Sequence, residues 1–188
     1  MHQIFVKNMV CPRCITAVES ILNTLQIDYK EVRLGEVDLD QKLSLSQYEE
    51  FSDQLKGDGF ELIYDRKTSL VERTKSLVID KIHHHSSLSV ELIWADYLNK
   101  HLHLDYKYLS SLFSSQENMT LEHYIILQKI ERIKELLIYD ELTLTQIADQ
   151  LGYSSSAYLS NQFKQQTGLT PTAFKKSQDR SRISLDQI

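Results

Sequence analysis

Hydrophobic residues alternate in short runs up to about residue 66, and beyond it they recur at spacings of three and four. The alternating runs are Gln3-Ile4-Phe5-Val6-Lys7, Tyr29 to Leu34, Glu36 to Leu39 and Phe60 to Tyr64, each the pattern of a half-buried strand. Two helical patterns lie between them. One opens at Cys14 and carries Ile15, Val18, Ile21, Leu22 and Leu25; the other opens at Ser46, carries Tyr48, Phe51 and Leu55, and stops at Gly57-Asp58-Gly59. The order predicts a small α+β sandwich over 1–66. Leu70, Val71, Thr74, Leu77, Val78 and Ile82 then form one stripe of a helix, read as a connector over 67–87. Helices follow at about 89–101, 106–115, 120–139, 143–150, 155–166 and 171–177, an all-α domain over 88–176. A polar tail, 177–188, is expected to fray.

Composition narrows the class. The 188 residues hold 21 Lys+Arg against 26 Asp+Glu, a formal charge of -5, which gives no overall attraction to a polyanion. No run approaches the roughly 20 apolar residues of a membrane span, and the opening residues lack a signal peptide's layout. Both cysteines sit in Cys11-Pro12-Arg13-Cys14, which excludes a disulfide scaffold. A cytoplasmic protein without membrane partners is expected. No Ser/His/Asp set or phosphate-cradling glycine loop suggests an enzyme.

The stretch from Leu144 to Lys164 has the makings of a helix-turn-helix. Ala148 permits a close helix crossing, Gly152 permits positive φ in the turn, and Ser154 or Ser155 caps the second helix. The segment resembles the second helix-turn-helix of AraC-type (AraC/XylS) transcriptional regulators. Gln166 to Lys175 resembles that family's closing turn, with Gly168 ending one helix and Pro171 starting the next. Asp105 to Phe113 and Met119 to Leu137 resemble its first helix-turn-helix and long linking helix. The likeness covers about 88–176 and implies a sequence-specific regulator that binds double-stranded DNA, with two recognition helices in successive major-groove segments on one face. By position, Lys107, Ser110 and Ser111 face DNA from the first recognition helix, and Ser156, Ser160 and Asn161 from the second. Lys164, Lys175 and Lys176 hold phosphates. Residues 86–188 carry ten Lys+Arg against twelve Asp+Glu, so affinity should be modest and its salt dependence shallow.

Met9-Val10-Cys11-Pro12-Arg13-Cys14 lies between a strand and a helix. Cys14 falls in the helix's first turn, where the dipole is expected to favour thiolate. Two soft thiolates suit Cu(I) or another thiophilic metal ion, whereas a closed zinc site needs two more ligands. The segment and its surroundings resemble the heavy-metal-associated, copper-chaperone-like ferredoxin fold. That likeness implies Cys11 and Cys14 as metal ligands and Met9 as an apolar prop under the loop. Reversible disulfide formation by the same pair is the competing reading. His83-His84-His85 invites a third, but consecutive side chains point about 100° apart on a helix and cannot converge on one ion without unwinding it.

These observations give an α+β N-terminal ferredoxin-like domain followed by an all-α tandem helix-turn-helix domain. Ligation or oxidation of Cys11 and Cys14 would be relayed to the DNA-binding half. A homodimer is compatible with this reading. The alternative is a thiol-based metal carrier whose helical half is a protein-interaction module.

Overall fold

The computed structural model describes residues 2–85, 88, 92–177 and 181–188. Two compact units divide the chain, Met1–Asp80 and Lys81–Ile188.

The first unit runs β1 (His2–Lys7), α1 (Pro12–Thr24), β2 (Tyr29–Arg33), β3 (Glu36–Leu39), α2 (Leu45–Gly57), β4 (Glu61–Ile63) and α3 (Arg66–Ile79). Its strands form one antiparallel sheet in the order β2-β3-β1-β4. Each β-α-β passage is therefore split by a strand from the other, which is the ferredoxin-like arrangement the alternating runs predicted. The pleat sorts the side chains. Val6, Val32, Val37, Leu39 and Leu62 join Val18, Ile21, Leu22, Phe51 and Leu55 in one core. Gln3, Phe5, Glu36 and Asp38 take alternate positions, so Gln3 Nε2 donates to Glu36 Oε2 and Asp38 Oδ1 at 3.1 Å each.

Local chemistry explains the helix ends. Pro12 begins α1 because its missing N–H has no intrahelical partner there, and Cys11 supplies the extended residue before it. Ser44 and Gln47 form a reciprocal capping box at α2, one residue earlier than the hydrophobic pattern alone suggested. Gly35, at φ +79, turns β2 into β3; a Cβ there would lie 2.8 Å from Ser76 Oγ of α3. The residues expected to connect the two halves thus begin as a helix of the first unit. Arg73 of that helix pairs with Glu36 and stacks 5.6 Å from the Phe5 ring. A π-helical turn, Asp80–His84, continues it.

The second unit contains α4 (Trp94–Leu102), α5 (Tyr106–Glu117), α6 (Leu121–Tyr139), α7 (Leu144–Gln150), α8 (Ser156–Thr167) and α9 (Pro171–Lys176). The expected helix start at 89 and the connector's 86 and 87 lie outside the described residues. Asp105, Thr120, Thr143, Ser155 and Thr170 cap the starts of α5 to α9 by accepting from backbone N–H groups two or three residues on. Left-handed residues His103, Asn118, Asp140 and Gly168 close α4, α5, α6 and α8. Leu98, Leu109, Phe113, Leu121, Tyr124, Ile133, Ile147, Ala148, Leu159 and Phe163 fill the core. Among the described residues no helix is long and apolar enough to cross a membrane.

The C-terminal residues depart from expectation. Instead of fraying, 181–188 lie along α6: Ile183 N–H donates to Glu131 Oε2 at 3.1 Å, and the Leu185 carbonyl accepts from Gln128 Nε2 at 3.2 Å. Glu131 and Gln128 are buried polar groups on α6, and the tail supplies backbone partners that helix neighbours do not.

Candidate nucleic-acid interface and thiol loop

Two helix pairs carry the geometry of interest, α4–α5 and α7–α8, with α6 between them. Within the second pair, Leu151 N–H donates to the Ile147 carbonyl and Tyr153 N–H to that of Ala148. Gly152, at φ +68, lets the chain turn before Ser155. Leu159 and Phe163 then point inward with no exposure. Leu109, Leu112 and Phe113 do the same on α5. The opposite sides of α5 and α8 are left to solvent.

On α5 the exposed residues are Lys107, Tyr108, Ser111, Ser115 and Gln116; Ser110, expected on that face, is half-buried. On α8 they are Ala157, Tyr158, Asn161, Lys164 and Gln165. Ser156 and Ser160 are half-buried, and the Ser160 hydroxyl donates to the Ser156 carbonyl at 2.8 Å, which occupies its proton. The open stripe on each helix is thus rotated by about one residue from the predicted one, toward Tyr108 and Tyr158. Tyr158 is 54% exposed, and its ring meets that of Tyr153 at a tilt of 56°, 5.9 Å between centroids.

A signal in the sequence marks these positions. Tyr108, Leu109, Ser110, Phe113 and Thr120 recur as Tyr158, Leu159, Ser160, Phe163 and Thr170, each fifty residues on. This repeat escapes a hydropathy reading because the polar residues between the shared positions differ.

The cations are sparse and unequal. Lys107, Lys164 and Lys176 are exposed. Lys175 is paired with Asp140, the residue closing α6. Lys129 is largely buried, with its ammonium 4.9 Å from the centre of the Tyr153 ring, and desolvation lowers its pKa to about 8.

Gln128, beside it, is fully buried and uses all of its amide. Its Oε1 faces His83 Nε2 at 3.0 Å, while its Nε2 donates to Tyr124 Oη at 3.0 Å and to the Leu185 carbonyl. His83 Nε2 must therefore carry a proton and donate. Burial of that ring lowers its pKa to about 4, so it is neutral at physiological pH. At this helix end His83 is thus a buried, uncharged donor.

In the first unit, Cys11 and Cys14 are free thiols with Sγ atoms 3.4 Å apart, both half-buried. The β1–α1 loop that bears them is held by Asn8, in left-handed conformation, whose side chain donates to the Gly59 carbonyl at 2.9 Å. Met9 is 2% exposed and belongs to the core beneath the loop. The expected bias of Cys14 toward thiolate is overturned. Burial pushes its pKa up and the hydrogen bond with Cys11 adds to that, outweighing the backbone N–H contribution. Among the described residues no group of three or more His, Cys, Asp or Glu is arranged to hold a metal ion. The donor set at the loop is thus two sulfurs, which fits a two-coordinate thiophilic ion and does not fit tetrahedral zinc.

Residues 98–177 match the family described as "Helix-turn-helix domain". The chain is 24% identical over 166 residues to YtdP, an HTH-type transcriptional regulator of Bacillus subtilis, covering 87% of this chain and 21% of that protein. It is likewise 24% identical over 159 residues to YdeC, another HTH-type transcriptional regulator of that organism, covering 85% and 52%. The chain therefore spans about half or less of the length of these relatives. The C-terminal domain of AraT, a response regulator from Geobacillus stearothermophilus, superposes with a TM-score of 0.51 at 24% identity, covering 64% of this chain and 92% of that one. That superposition shares the fold of the helical region. Residues 98–177 thus form a helix-turn-helix domain similar to those of HTH-type transcriptional regulators, with an α/β domain ahead of it in the chain.

Proposed function

We propose that the chain is a sequence-specific DNA-binding transcriptional regulator that reads a duplex with the exposed stripes of α5 and α8. The observation that carries this reading is the family match over 98–177 falling on two helix-turn-helix units. In each, the second helix buries one face and leaves the other polar and open. Lys107, Ser111, Asn161 and Lys164 lie on these stripes, with Ser110, Ser156 and Ser160 at their edges, and the exposed Lys164 and Lys176 would hold phosphates. A mobility-shift titration of the full chain against genomic fragments tests this. A complex that survives excess competitor duplex supports it, and uniform weak binding to every fragment at low salt refutes it.

The thiol pair is the candidate input. Cys11 and Cys14 are close enough to ligate one Cu(I)-like ion together, or to form a disulfide while giving two electrons and two protons to an oxidised thiol such as a glutathione disulfide. Cys11 is the residue that starts α1, so either event acts on the helix start as well as the loop. The covalent route onward runs through α3 and the Asp80–His84 turn. An effector at the thiols changes DNA affinity only if it binds two arrangements of the chain unequally. Replacing both cysteines with serine and titrating Cu(I) with duplex present tests the link. The metal should shift the affinity of the reduced wild type and leave the double variant unaffected; an equal shift in both refutes it.

A further inference from the structure

The two helix-turn-helix units place one tyrosine each at the same point. Tyr108 is the third residue of α5 and Tyr158 the third of α8, fifty residues apart, and they are 49% and 54% exposed. Each first turn is held by its cap. Tyr108 N–H donates to Asp105 Oδ1 at 3.3 Å and Tyr158 N–H to Ser155 Oγ at 3.1 Å, so both side chains leave a fixed piece of backbone.

Their hydroxyls differ from those of the neighbouring tyrosines. Tyr106 Oη donates to Glu122 at 2.7 Å and Tyr153 Oη to Gln162 at 2.6 Å, as packed phenols do. Among the described residues neither Tyr108 Oη nor Tyr158 Oη has a hydrogen-bond partner. Two fixed, outward donors at equivalent positions on otherwise weakly cationic stripes have the chemistry of a contact to an acceptor.

We infer that Tyr108 and Tyr158 donate their phenolic hydroxyls to acceptor oxygens of duplex DNA, one tyrosine per recognition helix. This rests on the DNA-reading function proposed above. A neutral donor binds a phosphate or base oxygen without neutralising a charge, so it adds affinity without steepening the salt dependence. The arrangement accounts for how a chain with so few free lysines on these helices holds a duplex. The first-turn position is also where a recognition helix meets the major groove.

The test uses the full chain and a duplex recovered by the wild-type protein from a randomised pool. Tyr108→Phe and Tyr158→Phe remove one oxygen and keep each ring. Both variants should unfold at the wild-type denaturant concentration, since neither oxygen has a partner among the described residues. Each should bind the recovered duplex about tenfold more weakly, with the slope of log affinity against log salt unchanged. An equal loss on every single-base variant of that duplex assigns a phosphate oxygen, and a loss confined to one base pair assigns a base oxygen. Wild-type affinity in both variants overturns the inference while leaving DNA binding intact. Failure to recover any duplex would instead strike the proposed function itself.

Discussion

Lowering the pH from 7 to 5 strikes first at His83. In the unfolded chain its imidazole titrates near 6.5, whereas in the folded helical unit burial holds it at about 4. The unfolded state therefore takes up a proton in this window that the folded state refuses, and stability falls as the solution is acidified. The full contribution is present above pH 6.5 and is lost by pH 4. At roughly 1.4 kcal/mol per pH unit of displacement the total is about 3 kcal/mol, of which about 2 kcal/mol has gone by pH 5. Against a typical domain stability of roughly 5–15 kcal/mol that is a large fraction. Trp94, the one tryptophan, lies in α4 of the helical unit, so its fluorescence in urea titrations follows this unit. His83→Gln is the control, because its amide keeps an N–H for Gln128 Oε1 and cannot titrate. Wild type should lose about 2 kcal/mol more than the variant between pH 7 and pH 5. Equal losses, within about 0.5 kcal/mol, would refute the buried neutral ring as the cause; Arg132, Glu135 and His84, the other charged groups acting on it, are common to both proteins.

Three further outcomes are expected. Gly35→Ala should destabilise the first unit by about 1–3 kcal/mol in a chemical denaturation followed by circular dichroism, because φ +79 and the Ser76 hydroxyl at 2.8 Å leave no room for a Cβ. Phe163→Ala should cost about 3–5 kcal/mol in the Trp94 transition, since the ring is fully buried and packs edge-on to Phe174 at 5.6 Å. Lys164→Ala should reduce the salt slope of DNA binding by about 1 while weakening all duplexes alike; a loss on one sequence only would move Lys164 from phosphate to base.

The fold was legible where the chain obeys a period. Alternation in Gln3 to Lys7 and Glu36 to Leu39 announced half-buried strands, and the serines before α8 announced its start, because those signals are local. Gly168 likewise announced a helix end through its tolerance of left-handed backbone. Three features were not legible, each for want of a local signal. The tail looks disordered by composition, yet its backbone satisfies Glu131 and Gln128, residues more than fifty positions earlier. His83 looks like one of three consecutive histidines until burial and Gln128 single it out. At the candidate interface, the sequence indicated which helices carry a polar outer face but not which of their side chains stand furthest into solvent. Ser160 turns its hydroxyl back to its own helix, and Tyr158 stands half in solvent.

The central claim is that α5 and α8 together engage one duplex, and a hydroxyl-radical footprint of the full chain on its recovered site tests it most directly. Two protected segments on one face of the DNA, separated by about ten base pairs, are the predicted result. A single protected segment, or protection spread evenly along the duplex, would contradict it.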